Sequence, residues 1–381
     1  MSQNHNYIYY GTRCSSKEVE AFVRHAIEVN TLAETEGRPK TPICIWGQRG
    51  IGKTQLVEQI AANVGCKWAY IAPAQFEEMG DLLGMPQVVE GADGQNATHF
   101  VAPEWVPREE GPGILLIDDV NRADDRILRG IMQLLQNYEL VSWKLPKGWH
   151  IVLTANPDGG DYSVTPMDFA MLTRMMHITM IFEVKRWAWW AEKSQVDPRG
   201  INFVLTYPET VTGERTTPRT LVQFFESIQS IDDLKENQGL VKMLGDSCLD
   251  PATVTSFLSF INNQLSKLIS PAEILDAADF KVEVYDVVKA QVVGETKRVD
   301  IISVLCTRLF NHLSVNNPQL TDGQTNNLAD FLMMDFLPND IRLNTLRDLA
   351  NCNNDSVKKI VRRPDLGQML LNATGQWTAS N

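Results

Sequence analysis

Short apolar runs punctuate the first half of the chain: PICIW (42–46), WAYIAP (68–73), GILLID (113–118), HIVLTA (150–155) and HITMIF (177–182). Each reads as a buried strand. The segments between them carry the other period. SKEVEAFVRHAIEVNTLAE (16–34) sets Val19, Phe22, Val23, Ala26 and Ile27 on one stripe. KTQLVEQIAANV (53–64) does the same with Leu56, Ile60 and Val64, and DDRILRGIMQLLQNYEL (124–140) with Ile127, Ile131, Leu134 and Leu135. Strands alternating with helices predict a parallel five-stranded sheet with helices on both faces. After about residue 183 the strand signal fades. VKRWAWWAEKS (184–194), PRTLVQFFESI (218–228), VDIISVLCTRLFNHL (299–313) and NNLADFLMMDFL (326–337) read as helices, and Ser270 and Glu273 have capping-box spacing. The expected architecture is therefore an α/β core followed by an all-helical region.

In such sheets ligands bind beyond the carboxyl ends of the strands, and the candidate chemistry lies there. The first strand runs into GQRGIGKT (47–54), which has the G-x-x-x-x-G-K-[ST] spacing of a phosphate-binding loop. Glycines let successive N–H groups turn toward an anion, and the following helix aims its positive end at the same point. The binding candidates are Gly47, Gln48, Arg49, Gly50, Ile51, Gly52, Lys53, Thr54 and Gln55. Lys53 would reach the β- and γ-phosphates, and the Thr54 hydroxyl would ligate Mg²⁺. The third run ends in Asp118 and Asp119, the fourth in Asn156. An acid closing an apolar strand downstream of such a loop is the arrangement in which Asp118 holds Mg²⁺ and Asp119 orients the attacking water. Paired aspartates alone would read as a helix cap.

Composition narrows the classes. The 381 residues suggest two or three domains, and 35 basic against 47 acidic side chains give a formal charge of −12. That charge argues against sequence-independent coating of nucleic acid. The densest basic cluster, KKIVRR (358–363), reads as a solvated helix face. Cys14, Cys44, Cys66, Cys248, Cys306 and Cys352 show no C-x-x-C spacing, and no zinc pattern involves the six histidines, so reduced cysteines in a cytoplasmic protein are expected. The start shows no signal-peptide pattern, and no run reaches membrane-spanning length.

The ordered motifs resemble those of the MoxR-type AAA+ ATPases. GILLIDDVNRA (113–123) is similar to the family's Walker B, and TANP (154–157) looks like its sensor 1. DFAMLTRMM (168–176) resembles the arginine-finger segment, and TTPRTLVQF (216–224) the start of the sensor 2 helix. The resemblance covers roughly residues 15–230. It implies an N-terminal tail (1–15), an AAA+ nucleotide-binding core (16–183), a helical lid (184–265) and a further helical C-terminal region (266–381). An insertion at about 79–104 and a pre-sensor hairpin at about 138–149 would project from the core; Trp143, Lys144, Lys147 and Trp149 there are candidates for partner contact or hairpin packing. Two departures stand out. Asp119 replaces the usual glutamate, pulling the carboxylate back by roughly 1.5 Å, and Met175 replaces the usual aromatic after the finger arginine.

The resemblance implies ATP and Mg²⁺ as ligands, with Asn156 helping Asp119 place water. Arg219 would reach the γ-phosphate from the lid, and Arg174 would reach it from a neighbouring subunit. It further implies a homo-oligomer, expected to be a hexamer, acting on a protein substrate or complex; a von Willebrand A domain protein is a candidate partner. Two other readings stay open: a nucleic-acid motor or clamp-loader-like ATPase, and a slow or non-hydrolysing assembly platform, which Asp119 keeps alive.

Overall fold

The computed structural model describes residues 8, 10–90, 95–157, 164–211, 213–263, 265–294, 297–352 and 354–366. The chain divides into two compact units, Met1–Phe182 and Glu183–Asn381.

The first unit is built on strands β1 (Arg13–Cys14), β2 (Ile43–Trp46), β3 (Lys67–Ile71), β4 (Met85–Glu90), β5 (Asn96–Val101), β6 (Gly113–Ile117), β7 (Glu139–Leu140), β8 (Trp143–Lys144), β9 (Trp149–Ala155) and β10 (Met176–Met180). Its α-helices are α1 (Ser16–Thr35), α2 (Lys53–Asn63), α3 (Met79–Leu83), α4 (Asp125–Asn137) and α5 (Phe169–Leu172). Among the described residues the main sheet is six-stranded, in the order β1-β10-β2-β9-β6-β3, and every pairing is parallel. The sequence pattern predicts five strands. The sixth is β1, whose two residues pair Arg13 with Thr179 and Cys14 with Met180. Two residues carry no readable period, which is why the pattern misses them.

Alternation along the strands explains why both faces are covered. Ile43 and Ile45 of β2 join Ile114 and Leu116 of β6 and Val152 of β9 in one core, with Val19, Val23, Leu56, Val57 and Ile60 of α1 and α2. Cys44, Trp46, Leu115, Ile117, Ile151 and Leu153 point to the other face, against Ile127, Ile131, Leu134 and Leu135 of α4. The Ser15–Glu18 capping box starts α1, and the Asp124 carboxylate accepts from Ile127 N (2.9 Å) to start α4. α4 stops at Tyr138, which is left-handed (φ 58°) and turns the chain into the β7–β8 hairpin. Trp143 and Trp149 are tied in by packing: Trp143 Nε1 donates to Leu83 O (3.0 Å) and Trp149 Nε1 to Glu109 O (2.8 Å).

His150 of β9 is buried, with Nε2 3.3 Å from Thr31 Oγ1. Burial, and then the Lys40 charge, depress its pKa from about 6.5 to about 4. Between those values the unfolded chain binds the proton that the folded chain refuses. This contribution to stability is therefore complete above pH 6.5 and is lost as pH falls toward 4, reaching about 3 kcal/mol at most. Urea unfolding at pH 7.5 and pH 5 should show a steeper loss for the wild-type chain than for His150→Gln; equal slopes would count against it.

The second unit, described by itself, is helical among its described residues. Its α-helices are α6 (Val184–Lys193), α7 (Pro198–Thr206), α8 (Pro218–Ile228), α9 (Gln238–Cys248), α10 (Pro251–Asn262), α11 (Pro271–Asp276), α12 (Asp286–Val292), α13 (Val299–Asn316), α14 (Asp322–Leu332), α15 (Asn339–Ala350) and α16 (Asp355–Val361). Phe203, Phe224 and Phe257 form an edge-to-face core, with centroids 5.0 and 4.9 Å from Phe257. Arg308 is buried and ties α13 to α6 and α7 through Glu192 (3.1 Å) and Asn202 (2.7 Å). Pro218 opens α8, and the Ser270–Glu273 capping box opens α11.

Candidate nucleotide site

The carboxyl ends of β2, β6 and β9 lie side by side, because β9 pairs with both of the others. Each therefore delivers its last residues to one place. From β2 comes the loop of residues 47–52, tied to β9 by Gly47 N donating to Ala155 O (3.2 Å). Gly52 caps α2 with φ 93°, a left-handed conformation that a side chain would strain. At Gly47 the constraint is space: a Cβ would lie 2.8 Å from the Met180 carbonyl oxygen of the next strand.

Two hydrogen-bonded chains cross this corner. In the first, Lys53 Nζ donates to Gly47 O (2.7 Å), Gln48 O (3.1 Å) and Asn156 Oδ1 (3.2 Å). Asn156 Nδ2 in turn donates to Asp119 Oδ1 (3.0 Å), and Arg122 Nε stands 3.4 Å from Asp119 Oδ2. In the second, Thr54 Oγ1 donates to Asp118 Oδ1 (2.9 Å), which also accepts from Thr154 Oγ1 (2.5 Å). Thr154 Oγ1 accepts from Asp119 N (2.8 Å), and Tyr70 OH donates to Asp118 Oδ2 (3.2 Å). Burial and then the Asp118 charge raise the Tyr70 pKa, so Tyr70 stays a donor.

Lys53 and Asn156 are buried, so their charge and amide are fixed by neighbours rather than by water. Asn156 is held at four points: its backbone N donates to Asn121 Oδ1 (3.1 Å), and its O accepts from Asn121 Nδ2 (2.8 Å). Asp119 adopts a left-handed backbone (φ 48°, ψ 44°), a conformation Asp tolerates better than most residues but still at a cost of about 1–2 kcal/mol. The neighbouring bonds hold it there and aim its carboxylate at Asn156.

This donor set fits magnesium. Mg²⁺ prefers hard oxygen ligands and is usually held by one or two side chains plus phosphate and water. Thr54 Oγ1 and the Asp118 carboxylate supply such oxygens at adjacent positions beside the phosphate-binding loop.

Sequence reasoning missed three members of the site. Thr154 sits in an apolar strand and reads there as a β-branched strand former; its position two before Asn156, hence on the same strand face, was the available signal. Asn121 lies in the segment quoted for Walker B without a role. Tyr70 reaches Asp118 only because β3 pairs with β6 in a register that sets Tyr70 beside Leu116.

Neither Arg174 nor Arg219 takes part in these hydrogen bonds. Arg174 precedes β10, whose Met176 pairs with Ile43 at the start of β2. That puts it level with the amino ends of the strands, roughly 20 Å along the strand direction from the loop that follows β2. Its Nε donates to Gln136 Oε1 (3.2 Å) and its Nη1 to Ala170 O. Arg219 is exposed in the first turn of α8, in the second unit.

A parallel sheet with a phosphate-binding loop after one strand, an acid-tipped strand two places away and an asparagine-tipped strand between them is a P-loop fold of the AAA+ type. Residues 42–175 match the AAA domain family, dynein-related subfamily. A Rhodococcus erythropolis protein described as an ATP-dependent protease ATP-binding subunit-like protein is 33% identical over 129 residues, 32% of this chain and 36% of that protein. The chain thus spans about a third of that relative's length. Among solved structures, the Thermotoga maritima RuvB Holliday junction branch migration motor aligns over 73% of this chain and 85% of its own at 14% identity and a TM-score of 0.36. A variant of the same protein aligns over 81% and 90% at 14% identity and a TM-score of 0.38. Among the described residues no helix is long and apolar enough to cross a membrane.

Proposed function

We propose that this chain is a MoxR-like AAA+ ATPase that hydrolyses ATP in an oligomeric ring, expected to be a hexamer, to remodel or activate a protein partner in the cytoplasm. The observation that carries the reading is the meeting of Lys53, Thr54, Asp118, Asp119 and Asn156 at adjoining strand ends, cross-linked within 3.2 Å. Lys53 and the loop N–H groups bind the phosphates. Thr54 and Asp118 hold Mg²⁺, which when bound neutralises charge on the β- and γ-phosphates. Asp119, steered by Asn156, orients the water and accepts its proton. Arg219 senses the γ-phosphate from the second unit, and Arg174 serves the site of the next subunit. A von Willebrand A domain protein is the partner class that the resemblance favours.

One observation favours a slower variant of this reading, the assembly platform. Asp119 lacks the reach of the usual glutamate, and its carboxylate is already engaged by Asn156 and Arg122. Turnover of two variants tests it. Asp119→Asn should cut kcat about 10²-fold or more while leaving ATP affinity within a few-fold, the size of a lost general base. Asp119→Glu should change kcat measurably. Unchanged kcat in both would remove Asp119 from the reaction and favour the platform.

The nucleic-acid motor gains no support from charge. The net charge is −12, and in the basic cluster near the end Arg363 pairs with Asp365 (2.8 Å). The discriminating experiment is ATP turnover by the full chain across protein concentration, with and without duplex DNA. Turnover per subunit that rises with concentration and ignores DNA supports the proposed ring. Strong DNA stimulation would overturn it.

A further inference from the structure

Thr154 lies on β9, on the same strand face as Val152, which belongs to the apolar core shared with Leu56 and Val57 of α2. It is 0% exposed. A hydroxyl buried in such a place needs partners, because leaving it unpaired is costly. Thr154 Oγ1 donates to Asp118 Oδ1 at 2.5 Å and accepts from Asp119 N at 2.8 Å. A hydroxyl has a single proton, and a backbone amide can only donate. The proton must therefore point at the carboxylate, and the direction of both bonds is fixed. The bond to Asp118 is short, as expected for an ionised acceptor. One side chain thus joins two acids that are neighbours in sequence but have different tasks.

A separate observation comes from the backbone of Asp119. The β6–β9 pairing ends at Ile117 and Leu153, and Asp118 N donates to Ile71 O of β3 at 2.8 Å. At Asp119 the chain has left the sheet and turned left-handed, with φ 48°. Its N–H is received by the Thr154 side chain, where the strand ladder has already stopped. An aspartate has one rotatable bond fewer than a glutamate, so its carboxylate follows its backbone closely. Asn156 Nδ2 holds that carboxylate through Oδ1 at 3.0 Å. Thr154 and Asn156 both come from the carboxyl end of β9. Between them they grip Asp119 at its amide and at its carboxylate, and Thr154 extends the grip to Asp118.

We propose that Thr154 is a positioning residue, whose hydroxyl couples the carboxylate of Asp118, which would hold Mg²⁺, to the backbone of Asp119, which orients the attacking water. The inference rests on the ATPase reading of this site and adds the group that fixes its two acids relative to each other. Thr154 acts through Asp118 and Asp119 and touches neither nucleotide nor water. Partners in the outer shell of a metal site typically change metal affinity or activity about 10–100-fold when they are removed. A threonine that only filled the strand would change stability and leave both properties of the folded chain alone.

The test uses the full-length chain with ADP, with Mn²⁺ as the probe for Mg²⁺ and free Mn²⁺ followed by electron paramagnetic resonance. ATP turnover is measured beside it. Thr154→Val keeps the branched shape and removes the hydroxyl. It should weaken Mn²⁺ binding to the ADP-saturated chain about tenfold and lower kcat about tenfold or more at saturating metal. Binding of ADP without metal should stay within about threefold of wild type, since the phosphate-binding loop is untouched. Thr154→Ser restores the hydroxyl and should bring both readouts back to within about threefold. In an Asp119→Asn background Thr154→Val should cost little further kcat, because its effect on turnover passes through Asp119, yet it should still weaken Mn²⁺ binding. If circular dichroism shows the valine variant unfolded, Thr154→Ala takes its place in every comparison. Wild-type Mn²⁺ affinity in a folded hydroxyl-free variant, a serine variant no better than valine, or losses in kcat that simply multiply with Asp119→Asn would overturn the role of Thr154 and leave the nucleotide site standing. A wild-type chain that takes up no Mn²⁺ with ADP and hydrolyses no ATP is a distinct failure, which removes the site and this inference with it.

Discussion

Replacing Lys53 with alanine is expected to weaken ATP binding roughly 10²-fold and to take hydrolysis below detection, as expected when a charge-assisted contact to phosphate is lost. The expectation rests on how little freedom the ammonium has. Lys53 is 6% exposed, and its Nζ is gripped by Gly47 O, Gln48 O and Asn156 Oδ1 at the mouth of the loop. A fixed cation pre-organises the site, so its removal costs affinity directly and not through a search for another rotamer. Fluorescent ATP-analogue titration together with phosphate release provides the measurement. The same variant should keep its circular dichroism spectrum, because the sheet core on both faces involves no atom of the ammonium. Unchanged ATP affinity in a folded Lys53→Ala chain would remove the nucleotide site altogether.

What was legible in the sequence follows from how a parallel sheet is made. Its strands are buried on both sides, so β2, β6, β9 and β10 stand out as apolar runs, and their ends are where polar groups must reappear. Lys53, Thr54, Asp118, Asp119 and Asn156 all come within four-odd residues or fewer of a core element's end, and could be proposed on that ground. The rest depends on register. Whether Tyr70 meets Asp118 is decided by the β3–β6 pairing, and no local pattern encodes it. Whether Thr154 is filler or a bridge between Asp118 and the Asp119 amide is decided by which strand lies beside β6. The same holds in the second unit. Asn311 of α13 sits inside a helix whose stripe reads as ordinary core, and that its buried amide nitrogen has no hydrogen-bond partner shows only once the helices are packed.

Register also decides the second large expectation, which concerns Arg174. Because Met176 pairs with Ile43, Arg174 is displaced toward the amino ends of the strands, while the loop after Trp46 leaves from the carboxyl ends. An arginine side chain spans about 7 Å, well short of the roughly 20 Å that six residues of strand cover. Arg174 therefore cannot serve the phosphate-binding loop of its own chain, and any catalytic role it has must be played on another copy. Arginine fingers contribute about 10³ to 10⁵ in rate. Arg174→Ala should then lower kcat by about 10³ or more while ATP affinity stays within a few-fold, the pattern of a contact made only in the transition state. Its present bonds, to Gln136 and the Ala170 carbonyl, lie on the unit's surface, so the substitution should cost little stability. Mixing carries the argument one step further. Arg174→Ala subunits retain a complete loop, and Lys53→Ala subunits retain the arginine, so each inactive chain lacks what the other supplies. Turnover should return in mixtures and pass through a maximum at intermediate ratios. A flat baseline at every ratio, with both variants folded and co-assembled, would mean that the arginine is a surface residue and that the ring needs a different trans-acting group.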